Sequence, residues 1–170
     1  AANTPHHHDY EELIIGREGA LEHFIDFRSQ YIEAPFVSFV AKGKIHRVQA
    51  IPRDGHLSLW VLRFKSEFIP EITFSLYEWY HDQANLPVRS DACFERMNVL
   101  CGMMQDEMKQ PAPDLAIIRH LLSALFAMIE SERRKSAPDD AGTAKNQSTT
   151  FKNFLRILEE NFRRPEGVEF

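Results

Sequence analysis

A chain of 170 residues supplies about one domain of ordinary size, and its 44% hydrophobic and 26% charged content excludes a wholly disordered protein. A formal net charge of −5 excludes nucleic-acid binding by bulk positive charge, because phosphate contacts need a basic surface. No apolar run approaches the roughly 20 residues of a membrane span, and the His-rich start has no charged-then-apolar export pattern. Residues 10–64 are rich in β-branched and aromatic types. Leu13–Ile15, His23–Phe27, Phe36–Val40, Ile45–Ile51 and Leu57–Leu62 are predicted strands. Turn chemistry separates them at Arg17-Glu18-Gly19, Glu33-Ala34-Pro35, Lys42-Gly43-Lys44 and Pro52-Arg53-Asp54-Gly55. Short strands at such intervals, with no helix between them, predict a sandwich or barrel.

From about Glu67 the period changes. Phe68, Ile72, Leu76, Trp79 and Tyr80 make a weak helical pattern broken by Pro70. Over 91–109, Phe94, Met97, Cys101, Met104 and Met108 recur at spacings of 3 and 4, one stripe of an amphipathic helix capped by Ser90 or Asp91. Pro111 and Pro113 end it, and Asp114 opens a second helix running to about Lys135. This second helix carries two stripes. Leu115, Ile118, Leu122, Leu125 and Ile129 form one; Ile117, Leu121, Ala124 and Met128 form the other. A surface helix needs one buried face. Two therefore point to a homodimer, with the first stripe assigned to the second copy; the alternative is a helix sunk in its own core.

Residues 136–150 hold no large apolar side chain and read as a solvated linker. Beyond it, Phe151, Phe154, Leu155, Leu158 and Phe162 resume helical spacing, and one helix cannot bury such a face alone. The expected organisation is a β-barrel over 1–66, a helical dimerisation unit over 67–135, the linker, and over 151–170 the start of a further domain. Without an initiator Met, the chain reads as processed or as a piece of a longer protein. Cys93 and Cys101 would lie about 12 Å apart on one helix, too far for a disulfide. Two unbridgeable thiols suit a reducing compartment, so a cytoplasmic protein is expected.

The densest polar group is His6-His7-His8-Asp9-Tyr10-Glu11-Glu12. In a strand His6, His8, Tyr10 and Glu12 share a face, while His7 and Glu11 point to solvent. His6, His8, Glu12 and Gly19 stand at the spacing of the first signature motif of the cupin superfamily, and the resemblance extends to Gly43 and His46 of the second, with Ala41 where that motif has Pro. It implies a double-stranded β-helix barrel, mainly β with a C-terminal helical pair, whose mouth holds these residues. The succession of motifs, helical pair, polar linker and Phe151–Phe162 further resembles AraC-type transcription regulators. That likeness implies an N-terminal cupin that binds a small-molecule effector and dimerises through its helices, and a C-terminal helix-turn-helix domain, of which only the first helix would be present, that reads DNA.

For the His/Glu cluster three readings stay open. His6, His8, Glu12 and His46 form a sound ligand set for Zn, Fe, Mn or Ni, as in a metal-dependent cupin dioxygenase or isomerase. The preferred reading is a metal-free effector pocket in a non-enzyme, with His8, Tyr10, Glu12, Arg17, His46 and Trp60 as its residues and no cofactor. The third is a structural network of strand-end histidines. Arg17 and Arg63 are candidates to orient an anionic or sugar-like effector. Trp60 is either core under the helices or a stacking wall. His23 and His56 lack partners at ligand spacing. The chain has no Gly-rich phosphate loop, no G-x-S-x-G elbow and no C-x-x-C pair.

Overall fold

The computed structural model describes residues 4–25, 27–69 and 84–136. Within them run β1 (Glu11–Glu18), β2 (Ala20–Ile25), β3 (Arg28–Glu33), β4 (Phe36–Val40), β5 (His46–Ile51), β6 (Ser58–Phe64), a 3-10 turn (Ser66–Phe68), β7 (Asn85–Pro87), α1 (Asp91–Met108) and α2 (Leu115–Ser136). All strand pairings are antiparallel, in a four-stranded sheet of order β6-β1-β4-β7 and a three-stranded sheet of order β3-β2-β5. This is the expected β-rich fold with a C-terminal helical pair.

The strands stack in three layers with the helices. Ile14 and Phe36 of the larger sheet meet Leu21 of the smaller one, with Ile32, Val48, Ala50 and Leu59 around them. On its other side the larger sheet presents Leu13, Ile15, Val37, Phe39 and Phe64 to Met97, Cys101, Met104, Ile118, Leu122, Leu125 and Ile129 of the helices. The larger sheet is thus covered on both faces. That explains why β1 and β4 read as unbroken apolar runs rather than alternating ones: both successive faces must be dry. Two glycines make this possible. A Cβ on Gly16 would stand 2.1 Å from the Phe36 ring, and Gly19 turns the chain between β1 and β2 at φ +91°, where a side chain would also meet the Ile51 carbonyl.

Helix starts follow their capping chemistry. The Ser90 hydroxyl accepts from the Cys93 N–H at 3.2 Å, and the Asp114 carboxylate accepts from the Ala116 N–H at 2.8 Å. Arg133, Arg134 and Lys135 close α2 at the negative end of its dipole. Cys93 and Cys101 are buried and free, as their spacing requires. Among the described residues, no helix is long and apolar enough to cross a membrane.

Several expectations need correction. Arg28–Glu33 is a strand that the sequence pattern hides, because it is exposed along most of its length and lacks alternation. β7 pairs with β4, so sheet structure continues past residue 66; a three-residue strand leaves no periodic signal. The stripe assigned to a second copy is occupied within the chain: Ile118, Leu122, Leu125 and Ile129 are buried against the larger sheet, and of that stripe only Leu115 is exposed. The opposite stripe is the outward one, with Ile117 and Ala124 exposed and Leu121 and Met128 half-buried. The helical pattern over 67–84 falls mostly on residues 70–83, outside the described residues. So do the linker beyond Ser136, which ends α2, and the helix expected over 151–170.

Candidate functional site

The N-terminal segment does not continue β1, as strand alternation from His6 would require. Instead it lies along the start of β5. His6 and His46 exchange backbone hydrogen bonds at 2.9 Å each, and the Gly43 N–H donates to the His8 carbonyl at 2.8 Å. Gly43, at φ +78°, turns the chain back toward β5 so that this lamination can form. Both features bring remote residues to one end of the space between the sheets.

His8, Glu12 and His46 meet there. One donor atom from each lies within 4.8 Å of the other two. All three residues are buried. Each imidazole is set by a backbone carbonyl: His8 Nδ1–H donates to Tyr10 O at 2.6 Å, and His46 Nδ1–H donates to Lys44 O at 3.1 Å. A carbonyl only accepts, so Nδ1 carries the proton and Nε2 keeps its lone pair. The Nε2 of His8 is buried with no partner. Glu12 Oε2 accepts from Arg63 Nε at 2.6 Å, a contact that the direct pairing of Glu12 with Arg63 across β1 and β6 makes inevitable. This holds the Arg63 guanidinium charged, its pKa raised chiefly by the carboxylate beside it. Arg63 then lies over the Tyr10 ring, which stacks on His8 with centroids 3.9 Å apart. Burial, with His8, His6 and His23 nearby, lowers the His46 pKa and keeps it neutral.

The site therefore presents two imidazole lone pairs and a carboxylate to one point, with no donor among the three converging atoms. Such a set is satisfied by a cation or by a molecule rich in hydroxyl or ammonium donors. The same donors fit a divalent metal: imidazoles fixed by carbonyls through Nδ1, and a carboxylate held by an arginine. His6 stands at the rim, its ring 4.6 Å from that of His46, and it is exposed, so it belongs less firmly to the set than spacing alone implies.

Two expected pocket residues are elsewhere. Trp60 pairs with Ile15, on the helix-facing side of β1, and its Nε1–H donates to Asn98 Oδ1 of α1 at 3.1 Å. Arg17 lies over the Trp60 ring at 5.5 Å. Both are on the side of the sheet away from Glu12, because odd and even positions of one strand face opposite ways. Glu11, expected in solvent while His7 is indeed exposed, is fully buried. It accepts from the Lys42 N–H at 2.9 Å and the Ser66 hydroxyl at 2.6 Å, tying two loops to the end of β1.

His23, which ligand spacing leaves without partners, lies beside the set of His8, Glu12 and His46. It is buried, its ring 6.1 Å from that of His46, and its Nε2 has no partner. Its Nδ1 lies 3.2 Å from Asn85 Oδ1 and 3.0 Å from Ser38 Oγ. Burial, opposed by the Asn85 contact, lowers its pKa. Its partners are remote in sequence, so ligand spacing could not find it; the alternation Leu21, His23, Ile25 on one face of β2 was the available signal.

Neither a protein-family model nor a curated protein sequence matches the chain. Solved structures do. The AraC-like transcriptional activator CuxR matches over 80% of this chain with a TM-score of 0.52 and 12% identity. An apo ToxT variant from Vibrio cholerae matches over 75% with a TM-score of 0.52 and 14% identity. The matches cover 46% and 50% of those proteins, so this chain spans about half their length. The likeness establishes the fold as the one these regulators contain.

Proposed function

We propose that this chain is the effector-sensing and dimerisation region of an AraC-type transcription regulator. The fold likeness supports the family, and the buried, unpartnered Nε2 of His8 beside Glu12 and His46 supports the binding role. The effector in this reading is a small polar molecule whose hydroxyl or ammonium groups donate to His8, Glu12 and His46, with Tyr10 and Arg63 closing over it. It is bound, not transformed. Its contact with Glu12 competes with Arg63, and β6 carries that change to the helices through Leu62 and Phe64, the neighbours of Arg63 that pack against them, so binding and helix placement are coupled. Two copies associate through the outward stripe Ile117, Leu121, Ala124 and Met128, and a C-terminal domain reads DNA.

A thermal-shift and calorimetric screen of polyols, amino sugars and small amines tests this. A hit should stabilise the parent chain, and Glu12→Gln or His46→Ala should weaken it at least about tenfold, the loss of one charge-assisted hydrogen bond. A hit that neither variant weakens would refute the placement. Light scattering of Ile117→Glu, expected to be monomeric, tests the dimer.

One observation favours a second reading, a metal-dependent cupin enzyme. The carbonyl-fixed tautomers leave both Nε2 atoms ready for a metal, and His8, Glu12 and His46 would hold it, with His6 at the rim. Bound there, a divalent ion supplies Lewis acidity. Elemental analysis of protein purified without chelators decides: stoichiometric Zn, Fe, Mn or Ni, lost in His46→Ala, supports this reading over the first.

A further inference from the structure

We propose that the cleft between β6 and the helical pair is a second binding site, shaped for an aromatic acid, that is, a flat apolar body bearing one anionic group. The cleft has a volume of roughly 560 Å³, within the roughly 300–1,000 Å³ of small-molecule sites. Most of its lining lies on the side of the larger sheet away from Glu12, so it is a separate space from the effector site proposed above, the two meeting only at Arg63.

The lining determines the body of the ligand. Trp60, Phe64 and Phe68 offer ring faces and edges, while Cys101, Met104 and Met108 offer polarisable sulfur. Rings and thioethers favour a planar aromatic guest through stacking and sulfur–ring contacts. The rim is apolar too: Val61, Met108 and Leu115 all line the cleft and are among the exposed large hydrophobic residues.

Charge determines the head group. Among the described residues, the charged ones lining the cleft are Arg63 and Lys65, both cations. Each also serves a carboxylate, Glu12 and Asp9 respectively. Arg119 of α2 adds a third positive charge. Its guanidinium lies over the Phe68 ring at 5.2 Å, and among the described residues no carboxylate pairs with it. Arg119 does not itself line the cleft, but a carboxylate seated beside Phe68 would meet a planar donor fork already held against that ring. A ligand here touches β6, α1 and α2 together, and so would stiffen the junction between sheet and helices.

Calorimetry of the 170-residue chain with 2-naphthoate and its neutral amide, 2-naphthamide, tests the site. The acid should bind one to one and at least about tenfold tighter than the amide. Arg119→Gln should abolish that difference while leaving the amide unchanged. Met108→Trp, at the exposed rim, should weaken both at least about tenfold by filling the mouth, with Leu115→Trp as the second variant and circular dichroism checking the fold. His46→Ala should change neither. Equal affinity of acid and amide, binding insensitive to both rim variants, loss in His46→Ala, or no binding of either probe up to about 1 mM would overturn the proposal.

Discussion

The two faces of the four-stranded sheet are built from the same strands and differ in kind. Toward the helices, Leu13, Ile15, Val37 and Phe39 meet an apolar layer. Toward the smaller sheet, Glu12 and Ser38 interrupt the apolar set, and His8, His23 and His46 converge with two buried Nε2 atoms left unpartnered. An unsatisfied buried polar group is costly. The first face is built for stability. The second tolerates that cost where a ligand would relieve it.

Substitutions on the two faces should separate these roles, and the largest effect belongs to the helix side. Leu125 is fully buried, and Leu125→Ala should cost about 3 kcal/mol in chemical denaturation. Gly16→Ala, pressed against the Phe36 ring on the inner side, should cost about 2 kcal/mol; an unchanged midpoint would show that the inner face yields easily. Trp60→Phe removes the hydrogen bond to Asn98 and should cost about 1 kcal/mol without altering effector binding. Altered binding there would erase the distinction between the faces.

Acid sharpens the contrast further. His23 is held neutral by burial, so its pKa in the folded chain lies below the unfolded value of about 6.5. Below that pH the unfolded chain binds the extra proton, and stability falls as pH drops toward the folded pKa. Denaturation midpoints should decline between pH 7.5 and 5.5, with a shallower decline in His23→Gln. The thiols supply the opposite control: burial pushes Cys101 up to about 12, so it should resist alkylation at pH 8 until the chain unfolds. The smallest effect is expected at Leu115, which is 58% exposed. Leu115→Ser should change stability by no more than about 0.5 kcal/mol, in contrast to its buried stripe-mates.

Much of this was legible beforehand. The helices at 91–109 and 114–135, their caps, the strands at 36–40 and 45–51, and the trio His8, Glu12 and His46 follow from periodicity, capping chemistry and motif spacing. What misled was facing. Trp60 and Arg17 were grouped with Glu12, Glu11 was placed in solvent, and the buried stripe of α2 was given to a second copy. For Trp60 and the α2 stripe the cause is that an apolar or aromatic pattern tells that a side is covered, not what covers it; for Glu11 and Arg17 it is that strand alternation does not say which face is buried.

Local chemistry thus determined where helices start, where the chain must turn, and which polar side chains lie near a strand end, because capping, backbone freedom and side-chain period act within a few residues. Tertiary structure decided which of those side chains meet. Glu12 finds Arg63, and His23 finds Ser38 and Asn85, through pairings between strands tens of residues apart, or through the stacking of one sheet on another. Register and layer order arise from the packing of the whole domain, and no short stretch of chain carries them.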